Sequence, residues 1–316
     1  MNTAPDISVV SPVYGCRDCL EKLAATVRAT FEGTDLSWEL VLVDDRGPDQ
    51  PWSLIEDLAA KDPRIRGVRL ARNHGQHLAI WAGLQAARGS YVAVIDCDLQ
   101  DDPAAIPALY HALKDSDKEA VLVDRGSWND SVFRRTASRS FYRLVRALTG
   151  VEIKNLGNFG LYSRRMVDTL LMFREQEVFL PIMVNLSGLP TMRYTLDRDA
   201  RYAGQSSYSL ARLMILAVAI IVRFTDRPLM LSVFIGLVFS GLSAAISAVL
   251  LVLWAFGAFS VPGWTSTILS LWFLSGLILA TLGIHGFYIG RIFREVQKRP
   301  RILIEQTTGS DEAEPK

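Results

Sequence analysis

The stretch that decides the fold is Tyr91-Val92-Ala93-Val94-Ile95-Asp96-Cys97-Asp98, an apolar run over 91–95 that ends abruptly in two carboxylates. A short apolar run bounded by polar residues is typical of a strand buried on both faces of a parallel sheet. Side chains two apart on a strand point the same way, so Asp96 and Asp98 face one ligand while Cys97 points elsewhere. The run predicts a buried strand with a paired acidic site at its carboxyl end.

Strands and helices alternate before this run, with strands predicted at 7–13, 39–43 and 67–70 and helices at 18–31, 52–60 and 77–87. This alternation predicts an α/β fold with a mostly parallel, Rossmann-like sheet covered on both faces. Ligands of such sheets bind at the carboxyl ends of the strands, where Asp44 and Asp45 end the second strand. These two acids are candidate hydrogen-bond acceptors for a ligand. The alternative is a turn, because Asp-Arg-Gly-Pro is also turn chemistry.

Asp96 and Asp98 are the candidate metal ligands. Two carboxylates would repel an anionic ligand such as a pyrophosphate unless a cation lies between them. Carboxylate and phosphate oxygens are the ligands that Mg²⁺ and Mn²⁺ prefer, so one of these ions is the expected cofactor. The alternative is a pair of solvated acids on a loop, since the D-x-D pattern alone is weak.

The second half of the chain has a different composition. No Asp, Glu, Lys or Arg occurs from 228 to 290, which is long enough for two membrane spans of about 20 residues each. We predict spans at 229–256 and 268–289, preceded by a basic, apolar stretch typical of a helix at the membrane interface. Arginines flank both ends of the hairpin, which places both ends in the cytoplasm. The polar start of the chain has no signal-peptide pattern, so the first domain is also expected in the cytoplasm.

The expected domains follow from these boundaries. A globular domain is predicted at 1–205, a juxtamembrane interface helix at 206–227, two transmembrane helices at 228–290, and a basic segment with a disordered tail at 291–316.

The net charge and the cysteine content bear on two further questions, whether the partner is a nucleic acid and whether the cysteines bind zinc. The net charge is +1, which gives no indication of a nucleic-acid partner. Cys16 and Cys19 have C-x-x-C spacing without a second Cys/His pair, and Cys97 is isolated in the sequence. We expect these cysteines to be ordinary packing residues, with a redox role left open.

The chain resembles one enzyme family over nearly its whole length. The matching residues are Ser8-Val9-Val10-Ser11-Pro12-Val13-Tyr14, Leu42-Val43-Asp44-Asp45, Arg72-Asn73-His74-Gly75, 82–89, 94–103, 158–165, Arg201-x-x-Gly204-x-Ser206-x-Tyr208 and Tyr288-Ile289-Gly290-Arg291. Together they resemble the dolichyl-phosphate mannose synthase-like branch of the family 2 glycosyltransferases, which includes the bacterial polyprenyl-phosphate glucosyltransferases.

This resemblance implies a fold, a reaction and a location. The fold is GT-A, and the reaction is an inverting transfer of a sugar from a nucleotide-sugar, taken as a UDP-sugar, to a polyprenyl phosphate, taken as undecaprenyl phosphate. The location is the cytoplasmic face of a bacterial inner membrane, in contact with membrane lipids. A homo-oligomer is also expected, since relatives include oligomers and small residues in the hairpin permit close helix packing.

The resemblance also assigns roles to individual residues. The expected donor-binding residues are Pro12, Tyr14, Asp44, Asp45 and Asp96. Asp96 and Asp98 would hold the metal, and the catalytic set would be Asp98, Gln100 near the sugar, and Arg201. Arg201 and Ser206 would bind the acceptor phosphate. The alternative for Arg201 is a cation that binds acidic lipid head groups.

The chain departs from the family pattern at two positions. Many relatives have Gly-Asp-Phe-Arg where this chain has Gly157-Asn158-Phe159-Gly160, and Lys is frequent where it has Ser207. Asn158 cannot act as a general base, yet a phosphate monoester is mostly dianionic at neutral pH and needs none. These departures are the features that favour a rival of another class, a non-catalytic membrane scaffold on a decayed transferase fold, whereas the presence of Asp96, Asp98 and Arg201 argues against it.

Two other enzyme classes fit less well. A processive polysaccharide synthase would resemble its family in a Gln-x-x-Arg-Trp motif, which does not occur in this sequence. A nucleotide-cofactor oxidoreductase would have G-x-G-x-x-G after the first strand, where this chain has Ser11-Pro12-Val13-Tyr14-Gly15.

Overall fold

The computed structural model describes residues 4–124, 157–176, 178–195, 227–256 and 263–309. These residues form two compact units. The first contains one α/β sheet and its covering helices, and the second contains two long helices.

Strands and helices alternate through the first half of the chain. The order is β1 (Ile7–Val13), α1 (Leu20–Phe31), β2 (Trp38–Asp44), α2 (Trp52–Lys61), β3 (Ile65–Leu70), α3 (Gln76–Ala86), β4 (Tyr91–Val94), α4 (Ile106–Lys114) and β5 (Ala120–Asp124). Further along are β6 (Gly160–Ser163), α5 (Arg164–Met172), α6 (Leu180–Leu186), β7 (Thr191–Thr195), α7 (Arg227–Ala255), α8 (Trp264–Val296) and β8 (Ile304–Thr307). The predicted elements of the first half are thus present, with boundaries that differ by one or two residues.

The sheet is mixed: β4-β1, β1-β2, β2-β3 and β5-β7 pair in parallel, and the other three pairs are antiparallel. Its eight strands have the order β7-β5-β6-β4-β1-β2-β3-β8. The centre, β4-β1-β2-β3, is parallel as predicted, whereas β6 pairs antiparallel with β4 and β5, and β8 pairs antiparallel with β3. The antiparallel flanks come from segments after residue 159, where the sequence no longer alternates regularly between strands and helices.

Two hydrophobic layers cover the two faces of the sheet. All seven residues of β1 are buried, with Val9 packed in the layer of α1 and α4 and Val10 in the layer of α3 and α5. Burial on both faces explains why the central strands are apolar throughout. The α3 layer is especially tight, because a Cβ at Gly83 would lie 2.2 Å from Val10 Cγ1.

The second unit contains α7 and α8, which span 29 and 33 residues. They contact each other through Phe239 and Phe273, whose ring centroids are 5.8 Å apart. Within the described residues, Ser270–Val296 is the one helical stretch with the length and apolar composition to cross a membrane, and the apolar part of α7 is the shorter Leu229–Phe239. One candidate span is therefore present, and the predicted two-span hairpin stays a prediction.

The end of the chain differs from the expectation. The helix α8 extends to Val296, beyond the predicted limit of 290, and Ile304–Thr307 forms β8 at the edge of the sheet. The segment 291–316, expected to be a basic stretch and a disordered tail, thus contributes a strand to the first unit. The predicted interface helix at 206–227 lies almost wholly outside the described residues.

Candidate active site

The carboxyl ends of β4, β1 and β2 form the edge at which the predicted acids lie. β1 is the middle strand, with Val13 opposite Asp44. Two backbone hydrogen bonds extend the pairing past the strand ends, from Ile95 N–H to Val10 O at 3.0 Å and from Asp45 N–H to Val13 O at 3.0 Å. The acids after β2 and those after β4 are therefore held on either side of one strand.

Asp44 is a buried carboxylate with spare capacity to accept hydrogen bonds. It is 1% exposed, and burial raises its pKa, while the Gly47 N–H and the Arg69 guanidinium act in the opposite direction. Gly47 N–H donates to Oδ1 at 3.2 Å. Arg69 Nε lies 3.4 Å from Oδ2 without hydrogen-bond geometry. Asp44 also accepts a hydrogen bond from the Arg46 backbone N–H. Because each carboxylate oxygen can accept two hydrogen bonds, Asp44 still has capacity to accept one from a ligand.

Asp45 points to a different partner. Its two carboxylate oxygens accept backbone hydrogen bonds from His74 N–H at 2.7 Å and Gly75 N–H at 2.8 Å. Burial raises its pKa, and these two bonds oppose that effect. Gly75 has φ 88°, a left-handed conformation that favours glycine. Asp45 therefore anchors the loop that leads into α3.

Asp96 and Asp98 follow β4 on a loop in which burial alternates. Asp96 is half-buried, Cys97 is buried and Asp98 is exposed. Asp98 Oδ1 accepts a hydrogen bond from Gln100 N–H at 3.1 Å, and Leu99 has φ 59°. The loop therefore turns sharply after Asp98 and presents that carboxylate to solvent.

The cysteines depart from the expectation of ordinary packing. Cys16 and Cys97 form a disulfide with a Cα–Cα distance of 6.4 Å, and Cys19 is free. Cys97, isolated in the sequence, thus has a partner 81 residues away. The bond connects the loop after β1 to the loop that contains Asp96 and Asp98.

The remaining predicted residues divide into two groups. Pro12 is buried in β1, Tyr14 is 54% exposed just beyond it, and Gln100 is exposed on the Asp98 loop. These three lie at the same edge of the sheet. Arg201 and Ser206, the predicted acceptor-phosphate residues, lie outside the described residues.

Sequence reasoning missed Gln76, the first residue of α3. Its Nε2 donates to Asp96 Oδ1 at 2.7 Å. The motif Arg72-Asn73-His74-Gly75 ends next to it, which was the available signal. Because Asp45 anchors this loop and Gln76 contacts Asp96, the acids after β2 are connected to those after β4 through the start of α3.

Two further polar side chains lie at or near this edge. Asn158 precedes β6, whose start is antiparallel to the end of β4; it is 6% exposed, and its Oδ1 has no hydrogen-bond partner within the described residues. A buried polar atom of this kind calls for an explanation such as a ligand. His77, in the first turn of α3, packs against Phe179 at 4.3 Å between ring centroids, and burial lowers its pKa to about 4.

The donor set fits a Mg²⁺ or Mn²⁺ that also binds substrate phosphates. Among the described residues there is no group of three or more His, Cys, Asp or Glu side chains able to hold a metal by themselves. Mg²⁺ typically binds through one or two carboxylates plus phosphates and water rather than in an all-protein cage. Asp96 and Asp98 are compatible with that mode of binding.

Comparison with known proteins decides the family. The model of "Glycosyl transferase family 2" matches residues 8–171, which include all of β1 but its first residue, β2 to β4 and both pairs of acids. The chain belongs to glycosyl transferase family 2. Among family members, it is 33% identical over 316 residues to the undecaprenyl-phosphate 4-deoxy-4-formamido-L-arabinose transferase of Yersinia pestis (strain Pestoides F), covering 98% of this chain and 95% of that protein.

Other relatives are more distant or less informative. The glycosyltransferase YkcC of Bacillus subtilis (strain 168) is 29% identical over 303 residues, covering 96% of this chain and 94% of that protein. A crystal structure of glucosyl-3-phosphoglycerate synthase from Mycobacterium tuberculosis is 19% identical, with a TM-score of 0.48 over 69% of this chain and 76% of that one. The sheet is a mixed α/β sheet and the protein is a family 2 glycosyltransferase, while the GT-A assignment stays a prediction.

Proposed function

We propose that this glycosyltransferase moves a sugar from a nucleotide-sugar, most simply a UDP-sugar, to a polyprenyl phosphate at the cytoplasmic face of a membrane. The observation that supports it best is the edge of the sheet where Asp44, Asp96 and Asp98 lie on either side of β1. The near full-length similarity to an undecaprenyl-phosphate sugar transferase supports the acceptor.

The donor's nucleoside would bind over the ends of β1 and β2. Asp44 Oδ2 would accept a hydrogen bond from the base or ribose, with Pro12 and the exposed ring of Tyr14 beside it. Asp45 would act mainly by holding the loop before α3, since its oxygens already accept two backbone hydrogen bonds. The donor's pyrophosphate would then lie toward Asp96 and Asp98.

A divalent ion would be held by Asp96 and Asp98, and when bound it would neutralise charge on the departing nucleoside diphosphate. Gln76 would orient the Asp96 carboxylate through the hydrogen bond to Oδ1. Gln100, on the same loop as Asp98, would contact the sugar. The unpartnered Oδ1 of Asn158 would accept a hydrogen bond from a donor hydroxyl group.

The acceptor supplies its own nucleophile. A phosphate monoester has a second pKa of about 6, so its oxygen is already deprotonated at neutral pH. That oxygen forms a bond to the anomeric carbon while the bond from that carbon to the nucleoside diphosphate breaks, which inverts the centre. Asn158 in place of an acid is compatible with this step, because no proton has to be removed. Arg201 and Ser206 would hold the acceptor phosphate.

The apolar helices would keep the enzyme beside its lipid substrate. Confining the acceptor to the plane of the membrane supplies proximity without any transport step. The candidate span Ser270–Val296 supports a membrane anchor by its length and composition.

A lipid-extraction assay tests this proposal. Purified protein would be mixed with undecaprenyl phosphate, Mg²⁺ or Mn²⁺, and labelled UDP-, GDP- or dTDP-sugars. We expect label in the organic phase for one donor and its loss in Asp98→Ala. Absence of transfer and of nucleotide binding for every donor would favour the non-catalytic scaffold instead.

A further inference from the structure

The last strand of the chain reaches the proposed nucleoside site. β8 pairs antiparallel with β3, with Val68 opposite Thr307 and Leu70 opposite Ile304. Further bonds hold both ends of the strand, from Ala71 N–H to Leu303 O at 2.8 Å and from Thr308 N–H to Gly67 O at 2.9 Å. Asp44 in β2 pairs with Arg69 in β3, and β3 in turn pairs with β8, so β3 is the strand between Asp44 and β8.

The pairing of β8 contains an irregularity at Glu305. Arg69 is opposite Gln306 and Leu70 is opposite Ile304, so the register shifts there and Glu305 has no residue opposite it. Such a bulge redirects a side chain from the direction that regular alternation would give it. Here the Glu305 carboxylate contacts two arginines, Arg46 and Arg69.

Arg69 lies between two carboxylates. Its Nε is 3.4 Å from Asp44 Oδ2 and 3.9 Å from Glu305 Oε2. Its Nη1 donates to Gln306 Oε1 at 3.1 Å, and its guanidinium lies 5.6 Å from the centroid of the Trp52 ring. β8 therefore supplies two of the groups that set the position of this guanidinium.

Arg46 belongs to the loop that follows Asp44 and Asp45. It has φ 58°, its Nε donates to Leu70 O at 3.0 Å, and its Nη2 contacts Glu305. Glu305 thus faces both cations next to Asp44. Arg69 therefore divides its charge between Asp44 and Glu305, and without the Glu305 charge Asp44 would be its one carboxylate partner among the described residues.

We propose that Glu305 is a positioning residue for the nucleotide-sugar: by sharing Arg69 with Asp44, it limits the Arg69–Asp44 contact to an ion pair without a hydrogen bond, so that Asp44 Oδ2 can still accept one from the nucleoside. This inference rests on the proposed donor role of Asp44. In Glu305→Gln the guanidinium moves onto Asp44 and competes with the donor. Donor binding weakens, whereas the reacting groups at Asp96 and Asp98 are unchanged.

The test compares donor KM, kcat and UDP affinity in Glu305→Gln, Glu305→Asp and the wild type, all as the full chain. We expect KM and the UDP dissociation constant to rise roughly ten-fold in Glu305→Gln, with kcat within about two-fold of the wild type. Glu305→Asp keeps the charge and should restore most of the affinity. Glu56→Gln, which removes an exposed carboxylate from α2, is the matched control and should change neither constant.

A double-mutant comparison tests whether Glu305 affects donor binding through Arg69. In an Arg69→Gln background the further change Glu305→Gln should have little additional effect on KM, because the proposal assigns the competition for Asp44 to Arg69 and not to Arg46, whose Nε is held by Leu70 O. Full additivity of the two changes would overturn the proposal. So would a Glu305→Gln protein that melts at a lower temperature but binds UDP as the wild type does, since that result assigns Glu305 to the stability of β8 alone.

Nucleotide binding by the wild type distinguishes a failure of the proposed donor site from a failure of the inference about Glu305. A wild-type protein that binds none of UDP, GDP and dTDP overturns the donor site and this inference together. A wild type that binds UDP normally while Glu305→Gln binds it equally well overturns this inference only.

Discussion

Asp44 and Asp45 are neighbours in the chain, yet their carboxylates serve different partners. Asp45 accepts hydrogen bonds from two backbone N–H groups, whereas Asp44 Oδ2 faces Arg69 without a hydrogen bond. We predict that Asp45→Ala lowers the free energy of unfolding by about 1–3 kcal/mol, because His74 N–H loses its acceptor and Gly75 N–H keeps only Asn73 Oδ1 at 3.0 Å. Chemical denaturation checks this value, and a change below about 0.5 kcal/mol would contradict the anchoring role.

Asp44→Asn should weaken donor binding without lowering the stability of the fold. Burial raises the pKa of Asp44, so its charge opposes folding at neutral pH and the neutral isostere should not lower the melting temperature. Donor KM should rise about ten-fold or more, because an amide replaces the acceptor for the nucleoside. Steady-state kinetics measure the donor KM, and a melting curve on the same sample measures the stability. An unchanged KM would show that Asp44 does not bind the donor.

His77 should make stability depend on pH in a defined window. Its folded pKa of about 4 lies below the ordinary 6.5, so the unfolded chain binds a proton that the folded chain does not. This contribution to stability is fully present above pH 6.5 and is lost as the pH falls toward 4, at up to about 1.4 kcal/mol per pH unit. Unfolding measured at pH 7.5 and 5.0 should show a smaller difference in His77→Gln than in the wild type. Equal differences would show that His77 does not titrate in this way.

At the scale of elements, α3 connects the core to the site. Its start contacts Asp96 through Gln76, and its middle packs against β1 at Gly83, where an added Cβ would meet Val10 Cγ1 at 2.2 Å. Gly83→Ala should cost about 1–3 kcal/mol of stability and raise donor KM by displacing Gln76. Gln85→Ala, on the exposed side of α3, is the control and should leave both unchanged. A fully stable Gly83→Ala protein would contradict this packing.

The elements also show what the sequence could and could not predict. The central strands and the acids at their ends were predictable, because continuous apolar runs and abrupt polar ends are local patterns. β8 was not, since four exposed residues give no pattern and its partner β3 lies more than 200 residues earlier in the chain. The Cys16–Cys97 pair and the Gln76–Asp96 bond were missed for the same reason, because both depend on how distant loops pack together.

At the scale of the whole molecule, a family 2 transferase domain is followed in the chain by long apolar helices, and the chain then returns to the sheet as β8. The return gives the segment after the helices a place beside the proposed donor site. The composition predicted the change from a mixed to an apolar segment, since no charged residue occurs from 228 to 290. It gave no sign that the chain rejoins the first domain afterwards.

The most direct test of the account is the mass of the lipid formed when the enzyme, its donor and a divalent ion are given undecaprenyl phosphate or, in parallel, undecaprenol. We expect one product, the polyprenyl phosphate with a single added sugar, formed only from the phosphate. Its rate should fall below pH 6 as the acceptor becomes protonated. Transfer to undecaprenol at a similar rate, or no lipid product with any donor, would contradict it.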